Sequence, residues 1–241
     1  MGAFEALKKL QAIMPEGVKP KFSSAEEWRA WQDEQGRIAS AEVAGQNRTA
    51  KVKSVIGRSG IQELHMDCSF DNFVVSNELQ AKALRRAKSW LNKSSENFGG
   101  FIFSGSCGTG KNHLAAAIGN KLIESGKSIL VITVPDMMMK FRETYQKGAT
   151  VTESQLMDMF CKVDLLVLDD VGVQHGKTNE SVLLFQIIDR RASSRKATSI
   201  LTNLDDKQLT EVLSERVVDR LRMGGGIWVN FDWESYRKNV K

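Results

Sequence analysis

From residue 101 onward, short apolar runs alternate with stretches whose apolar residues recur at helical spacing. The apolar runs predict five strands, at 101–103, 128–134, 164–170, 198–203 and 226–231. The stretches between them predict helices that begin near 114, 135 and 180, one or two helices over 205–222, and a last short helix from 233. Apolar strands that alternate with helices are typical of a parallel sheet covered on both faces. We therefore predict an α/β fold with its sheet flanked by helices.

The first 35 residues have a different pattern and predict two short helices. Two prolines break the first run, and a serine at 23 or 24 can cap the second helix, EEWRAWQDEQ. Trp28 and Trp31 lie three positions apart on it. A segment of about 35 residues buries little surface alone. Two interpretations stay open: the tryptophans close a miniature core, or they anchor a partner protein.

Residues 36–60 are polar and contain more basic than acidic side chains. They predict either a linker or an exposed helix that ends near Gly57 and Gly60. Their positive charges are either solvated or in contact with nucleic-acid phosphate. A second unit begins near Ile61, and its residues 77–92 predict a helix before the first strand.

Composition narrows the class of protein. The 241 residues are 41% hydrophobic and 26% charged, which is typical of a soluble globular chain. The formal charge of +5 permits a polyanionic partner without requiring one. No apolar run approaches the ~18 residues of a membrane span. The three cysteines form no CxxC pair and indicate reduced thiols. We expect a cytoplasmic protein with no membrane partner.

The sequence GSCGTGK lies between the first strand and the helix after it, which is the context that a phosphate-binding loop requires. Glycines let the backbone approach an anion, and the helix start presents N–H groups to it. Lys111 supplies a charge for the terminal phosphates. Asn112 stands where Ser or Thr would place a hydroxyl on Mg²⁺. The segment 68–73 is predicted to be extended and to lie against the adenine.

Two acids, Asp169 and Asp170, end the third strand. In this type of fold a carboxylate there lies beside the phosphate loop. Asp169 can hold Mg²⁺, and Asp170 is placed to orient or deprotonate the attacking water. The alternative is a strand end with two solvated acids. The phosphate loop upstream favours the metal site.

Three more polar side chains have two interpretations each. Asn203 follows the fourth strand, where it can hold water or the γ-phosphate, or cap the next helix. Arg216 and Arg220 share a helical face, and one of them can act as an arginine finger in a neighbouring subunit. Alternatively, both pair with Glu215 and Asp219 on the surface.

Taken together, these motifs resemble the DnaC-type bacterial replicative helicase loaders of the AAA+ ATPase superfamily. The matching segments are LQAIMP, KPKF, EEWRAWQDEQG, SGSCGTGKNHLAAAI, VDLLVLDDVGVQ, the TN of the fourth strand, ERVVDRLR and WESYR. The resemblance implies a helicase-binding helical domain at 1–50, a linker at 51–66 and an ATPase domain at 67–241. It also implies ATP and Mg²⁺ as cofactors. The implied partners are a hexameric DnaB-type helicase, single-stranded DNA, and further copies of the chain in a spiral.

The resemblance also implies site residues. Lys111, Asp170, Asn203 and Arg220 would be catalytic. Those that would bind the nucleotide are Gly105, Ser106, Cys107, Gly108, Thr109, Gly110, Lys111, Asn112, His113 and, as the sensor 2 arginine, Arg237. Asn112 and Asp169 would hold the metal. Leu10, Trp28 and Trp31 would bind the helicase. Tyr145 would stack on a DNA base, and the alternative is that it packs on Phe141.

One departure from the family pattern concerns hydrolysis. Loaders usually carry Glu where this chain has Asp170. The shorter side chain predicts weak hydrolysis with intact ATP binding. Two other functions compete with the loader: a transposase-helper ATPase of the IstB kind, and an adaptor that nucleotide only stabilises.

Overall fold

A computed structural model describes residues 22, 24–56, 60–96, 98–149, 151–172 and 178–236; for 41–56, 64, 178 and 179 it describes the backbone alone. The chain divides into two compact units, Met1–Thr49 and Ala50–Lys241. Leu10 and Arg237 lie outside the described residues.

Five parallel strands form one sheet in the second unit. They are β1 (Phe101–Gly105), β2 (Ile129–Thr133), β3 (Leu165–Val171), β4 (Ala197–Thr202) and β5 (Ile227–Phe231). Their order across the sheet is β2-β3-β4-β1-β5, so β1 lies between β4 and β5. The predicted parallel sheet is confirmed. This order brings the carboxyl ends of β1, β3 and β4 together at one edge.

Helices precede, connect and cover these strands. They are α1 (Ala25–Ile56), α2 (Glu78–Asn92), α3 (Lys111–Glu124), α4 (Val134–Glu143), α5 (Glu153–Lys162), α6 (Thr178–Ser193), α7 (Asp206–Leu213) and α8 (Glu215–Arg222). Residues of α2 and α3 pack on one face of the sheet, and residues of α4 to α8 pack on the other. Side chains alternate along each strand, so Phe101 and Phe103 face the first layer and Ile102 faces the second.

Local sequence explains where four of these eight helices begin. Side chains of Asn77, Thr133, Thr152 and Asp205 each accept a hydrogen bond from a backbone N–H in the first turn. Pro135 lies in the first turn of α4, as predicted. The stretch 205–222 forms two helices, because Ser214 between them has a non-helical backbone with a positive φ of 73°.

Three parts of the fold differ from the sequence predictions. Helix α5 was not predicted. The final helix does not begin at Trp233, since residues 233–235 are not helical. Of the alternatives for 36–60, the helix is confirmed as far as Ile56 and is continuous with the helix that begins at Ala25. The difference lies in the linker expected at 51–66, because its residues 51–56 are helical.

Every described residue of α1 up to Ser40 is exposed. Trp28 and Trp31 are each 39% exposed, and the Trp31 ring contacts Phe22 with centroids 5.3 Å apart. Among the described residues, no helix is long and apolar enough to cross a membrane.

Candidate functional site: a nucleotide cleft at the carboxyl edge of the sheet

The end of β1 and the loop that leads from it to α3 contain three glycines with positive φ. The angles are 147° at Gly105, 76° at Gly108 and 93° at Gly110. Side chains disfavour this region of conformational space. A Cβ on Gly110 would also lie 2.8 Å from the Phe73 ring. The glycine spacing that predicted a phosphate loop therefore corresponds to a backbone that other residues could not adopt without strain.

Lys111 folds back over this loop and is only 6% exposed. Its ammonium donates to the carbonyl oxygens of Gly105 (2.5 Å) and Ser106 (2.8 Å), and to Asn203 Oδ1 (3.0 Å). Since Asn203 follows β4, one positive charge joins the ends of two adjacent strands. The structure thus brings together two of the predicted catalytic residues.

Asn112 connects the loop to β3. Its Nδ2 donates to Asp169 Oδ2 at 2.8 Å. Burial raises the pKa of the Asp169 carboxyl, and the nearby charge of Asp170 adds to this. Hydrogen bonds from the Asp170 N–H and from Asn112 oppose the shift, as does the charge of Lys111. The two residues predicted to hold the metal are therefore in direct contact.

Asp170 is exposed and has a left-handed backbone (φ 54°). Its N–H donates to Asp169 Oδ1 at 2.8 Å. Aspartate tolerates this conformation better than most residues because its short polar side chain can bond locally. Asp169 and Asp170 therefore lie next to each other near the carboxyl end of β3, as the sequence predicted.

Asn203 does not cap the helix that follows it, so that alternative was wrong. Asp205 caps α7 by accepting from Gln208 N at 2.8 Å. Instead, Asn203 Nδ2 donates to Cys107 Sγ at 3.4 Å. Its side chain is thus oriented between the phosphate loop and Lys111.

The arginines of α8 have partners other than those predicted. Arg220 pairs with Asp189 on α6, with Nη2 and Oδ1 3.1 Å apart and both side chains about one-third exposed. The Arg216 guanidinium lies over the Phe185 ring, 5.0 Å from its centroid. The alternative in which Arg216 and Arg220 pair with Glu215 and Asp219 was therefore wrong, because each arginine contacts a residue of α6 instead.

A cleft of about 240 Å³ adjoins the phosphate loop. Residues that line it include Asn72, Phe73, Val74, His113, Trp233 and Tyr236. The segment 68–73 is held against α3, because Asn120 donates to the carbonyls of Met66 and Cys68, each at 2.9 Å. His113 Nε2 lies 3.0 Å from the Ser69 carbonyl oxygen, and the His113 ring meets Phe73 edge-on.

Trp233 and Tyr236 were not predicted as site residues. The Trp233 indole donates to the Thr109 carbonyl, and the Tyr236 N–H donates to the Gly108 carbonyl. Two aromatic residues just after the last strand are the only sequence signal for this, and we interpreted them as part of a helix.

Tyr145 lies away from this cleft, just after α4. It is 64% exposed, and its hydroxyl donates to Glu153 Oε2 at 2.8 Å. This hydrogen bond is the main reason that the Tyr145 pKa is raised. Phe141 is buried in the core, where its ring stacks on Phe160, whereas the Tyr145 ring is largely exposed.

The parallel sheet and the phosphate loop at its carboxyl edge define the class: a P-loop domain of the AAA+ type. The family model described as IstB-like ATP binding protein matches residues 42–241. Over 237 residues the chain is 46% identical to the replicative helicase loader DnaC of Buchnera aphidicola subsp. Acyrthosiphon pisum, covering 98% of this chain and 96% of that protein. Over 236 residues it is also 46% identical to the replicative helicase loader DnaC of Escherichia coli strain K12, with the same coverages.

Solved structures show the same fold. A crystal structure of the DnaC helicase loader matches with a TM-score of 0.62 at 22% identity, over 70% of this chain and 99% of that one. Replication initiator DnaA bound to AMPPCP and single-stranded DNA matches with a TM-score of 0.61 at 27% identity, over 72% of this chain and 52% of that one. The chain belongs to the IstB-like ATP-binding family and, within it, to the DnaC-type replicative helicase loaders. The resemblance predicted from the sequence is confirmed.

Proposed function

We propose that this chain is an ATP-dependent loader in the cytoplasm that binds a hexameric DnaB-type replicative helicase and delivers it onto single-stranded DNA. ATP binding and hydrolysis would act as the release switch. One observation carries the proposal. Side chains from three strand ends converge through the Lys111–Asn203 and Asn112–Asp169 contacts, in a chain similar over nearly its whole length to helicase loaders.

ATP would bind with its phosphates on the loop 105–111 and its base in the cleft beside Phe73 and His113. Lys111 would then exchange its carbonyl contacts for phosphate oxygens. The glycine loop and the start of α3 would supply N–H donors to the same phosphates. The proposal is supported by one shared cleft, which is lined by Phe73, Gly108, Thr109, Gly110, Lys111 and His113.

Mg²⁺ fits the residues that face the loop. Each Asp169 oxygen accepts one hydrogen bond, which leaves further lone pairs on the carboxylate. The Asn112 amide donates through its nitrogen, so its oxygen remains as a possible ligand of the type Mg²⁺ prefers. The ion would neutralise charge on the phosphate oxygens.

Hydrolysis would use Asp170 to orient or deprotonate water, and Asn203 to hold that water or the γ-phosphate. Arg220 would serve as the arginine finger of a neighbouring copy in a spiral. To reach that nucleotide, Arg220 would have to leave Asp189. Both side chains are about one-third exposed, but Asp189 Oδ1 itself is buried, so the exchange would leave that oxygen without its cation at a cost of about 1–3 kcal/mol. Arg237 is proposed as the sensor 2 arginine from the sequence match alone.

Partner contacts are proposed for the two remaining regions. Leu10, Trp28 and Trp31 would bind the helicase, and Trp28 and Trp31 are partly exposed on α1. Tyr145 would stack on a base of single-stranded DNA, and its exposed ring supports this.

The decisive experiment is helicase delivery onto single-stranded DNA by the Lys111→Ala variant. We expect delivery to fall sharply, because the variant lacks the charge that contacts both the loop and Asn203. Mass measurement of the chain mixed with the helicase, with and without ATP, would show whether the complex still forms. Undiminished delivery by the variant would contradict the nucleotide switch.

A second candidate is a transposase helper of the IstB kind, which the family match over 42–241 favours. The similarity to loaders extends to the N-terminal unit and favours the loader. Long filaments on duplex DNA would support the helper. Absence of ATP turnover with and without single-stranded DNA would instead indicate an adaptor.

A further inference from the structure

The segment 232–236, which follows β5, lines the cleft and is hydrogen-bonded to the phosphate loop. The indole N–H of Trp233 donates to the Thr109 carbonyl oxygen at 3.0 Å. The backbone N–H of Tyr236 donates to the Gly108 carbonyl oxygen at 2.9 Å. The Trp233 ring packs on Phe231, with centroids 4.9 Å apart, so its donor is held by the end of β5 itself. Two successive carbonyls of the loop are therefore bound to one segment.

These two hydrogen bonds orient two peptide groups. In a trans peptide the C=O and the N–H that follows it point in opposite directions. The Gly108 carbonyl turns toward Tyr236, so the Thr109 N–H points away from the C-terminal segment. The Thr109 carbonyl turns toward Trp233, so the Gly110 N–H also points away. Both N–H groups are thus fixed toward the inner side of the loop, where an anion would bind.

External anchoring matters because this loop is rich in glycine. Gly108 and Gly110 have positive φ angles of 76° and 93°, and glycine peptides rotate at little steric cost. A loop without anchors would have to order its peptide groups when the anion binds, which weakens binding. A loop already ordered by Trp233 and Tyr236 avoids that loss.

We propose that Trp233 and Tyr236 are positioning residues for nucleotide binding, because they hold the Thr109 and Gly110 N–H groups toward the phosphates. The proposal rests on ATP binding by the phosphate loop. According to this proposal, the C-terminal segment strengthens binding of the ATP phosphates and not binding of the base.

The test is the Trp233→Phe variant of the full chain, which keeps an aromatic ring on Phe231 and loses the N–H donor together with the larger indole frame. We expect its affinity for ATP to fall about three- to tenfold, the range that one hydrogen bond supports. Affinity for inorganic tripolyphosphate should fall by the same factor, since the effect acts on the phosphates. Calorimetry gives the first affinity, and competition against a fluorescent ATP analogue gives the second.

Trp228→Phe is the matched control. The Trp228 indole donates to Asn230 Oδ1 at 2.6 Å within β5, so this variant also loses one indole hydrogen bond of the same strand region. We expect it to bind both compounds as the wild type does. A Trp233→Phe variant with unchanged ATP affinity, or one weakened for ATP but not for tripolyphosphate, would overturn the proposal. A wild-type chain that bound neither compound would instead overturn the ATP site itself.

A second pair of variants tests the other contact and does not depend on the folding of Trp233→Phe. Tyr236→Pro and Tyr236→Ala both lose the phenol ring, and only the proline also loses the backbone N–H. We expect the proline variant to bind tripolyphosphate about three- to tenfold more weakly than the alanine variant. Equal affinities would overturn the role of the Tyr236 amide.

Discussion

At the scale of single residues, Asp170 combines a short carboxylate with a left-handed backbone. Replacement by Glu would advance the carboxylate by about one bond length, and a misplacement of ~1 Å can change rates roughly a hundredfold. We expect Asp170→Glu to raise ATP turnover by about ten- to a hundredfold. The same change should lower thermal stability, because Glu is less well tolerated at positive φ. Steady-state ATPase assays and thermal melts would measure both effects.

Asp170→Asn is the control for that prediction. Asparagine keeps the length of the side chain and suits the same backbone conformation, but it cannot accept a proton from water. Turnover should therefore fall to background. If turnover of Asp170→Glu equals that of the wild type, side-chain length does not limit hydrolysis.

Tyr145 allows a residue-scale test of DNA binding. Stacking of a base on an aromatic ring contributes about 1–3 kcal/mol, so Tyr145→Ala should weaken single-stranded DNA binding roughly five- to 150-fold. Tyr145→Phe loses the hydroxyl contact with Glu153 and keeps the ring, so its affinity should stay close to that of the wild type. Fluorescence anisotropy at one fixed salt concentration would compare them. Equal losses in the two variants would exclude stacking.

At the scale of elements, one buried arginine joins the end of α5 to β3, α6 and β4. Arg191 has no exposed surface, and burial lowers its pKa to about 10. Its acceptors are the carbonyls of Phe160, Cys161, Val163, Asp164 and Ala197 and the hydroxyl of Thr198. Removal of the guanidinium would leave several buried acceptors without a donor, and each such group costs about 1–3 kcal/mol.

We therefore expect Arg191→Met to lower the free energy of unfolding by about 3 kcal/mol or more. Arg190 is its exposed neighbour on α6, and Arg190→Ala should change stability by at most about 0.5 kcal/mol. Urea unfolding followed by circular dichroism would measure both. If Arg191→Met changed the free energy of unfolding only slightly, the Arg191 guanidinium would not be needed to hold the loop between α5 and β3.

The start of β3 also makes stability depend on pH. Burial raises the pKa of Asp164, but hydrogen bonds from Lys196 and Ser128 outweigh it and lower the pKa from 3.8 to about 2. The folded state thus favours the ionised form. The resulting stability is fully present above about pH 4, and it is lost as the pH falls through about 2.

Asp164→Asn should accordingly destabilise the fold most near neutral pH and progressively less below pH 4. The control is Asp158→Asn, because Asp158 pairs with Lys162 on the exposed side of α5 and should contribute little at any pH. Urea unfolding from pH 3 to pH 7 would compare the two. A destabilisation by Asp164→Asn that does not vary with pH would contradict the role of its ionised carboxylate.

At the scale of the whole molecule, the loader hypothesis requires the N-terminal unit to hold the helicase independently of the nucleotide. We expect the double variant Trp28→Ala, Trp31→Ala to lose co-elution with a hexameric helicase and to bind ATP normally. Gln32→Ala, on the same helix, is the control and should co-elute. Size-exclusion chromatography with light scattering would decide this. Retained co-elution of the double variant would show that neither tryptophan is needed to bind the helicase.

The sequence predictions failed where tertiary contacts override local pattern. The segment that begins at Trp233 has helical spacing of its apolar residues, but its indole and backbone bind the phosphate loop instead. Helix α5 was overlooked, although Leu156, Met157 and Phe160 are buried on one side of it. Arg220 pairs with Asp189 on α6. These two residues are too far apart in the sequence for helical spacing to predict their contact.

The sequence by itself determined the five strands, the glycine loop between β1 and α3, and the acidic end of β3. It could do so because strand and helix periodicity, and the need for glycine at positive φ, are properties of neighbouring residues. Only the tertiary structure decided which of these groups touch. Asn112 meets Asp169 across 57 positions, Lys111 meets Asn203 across 92, and Trp233 meets Thr109 across 124. The order of strands in the sheet creates those contacts, because it places distant segments at one edge.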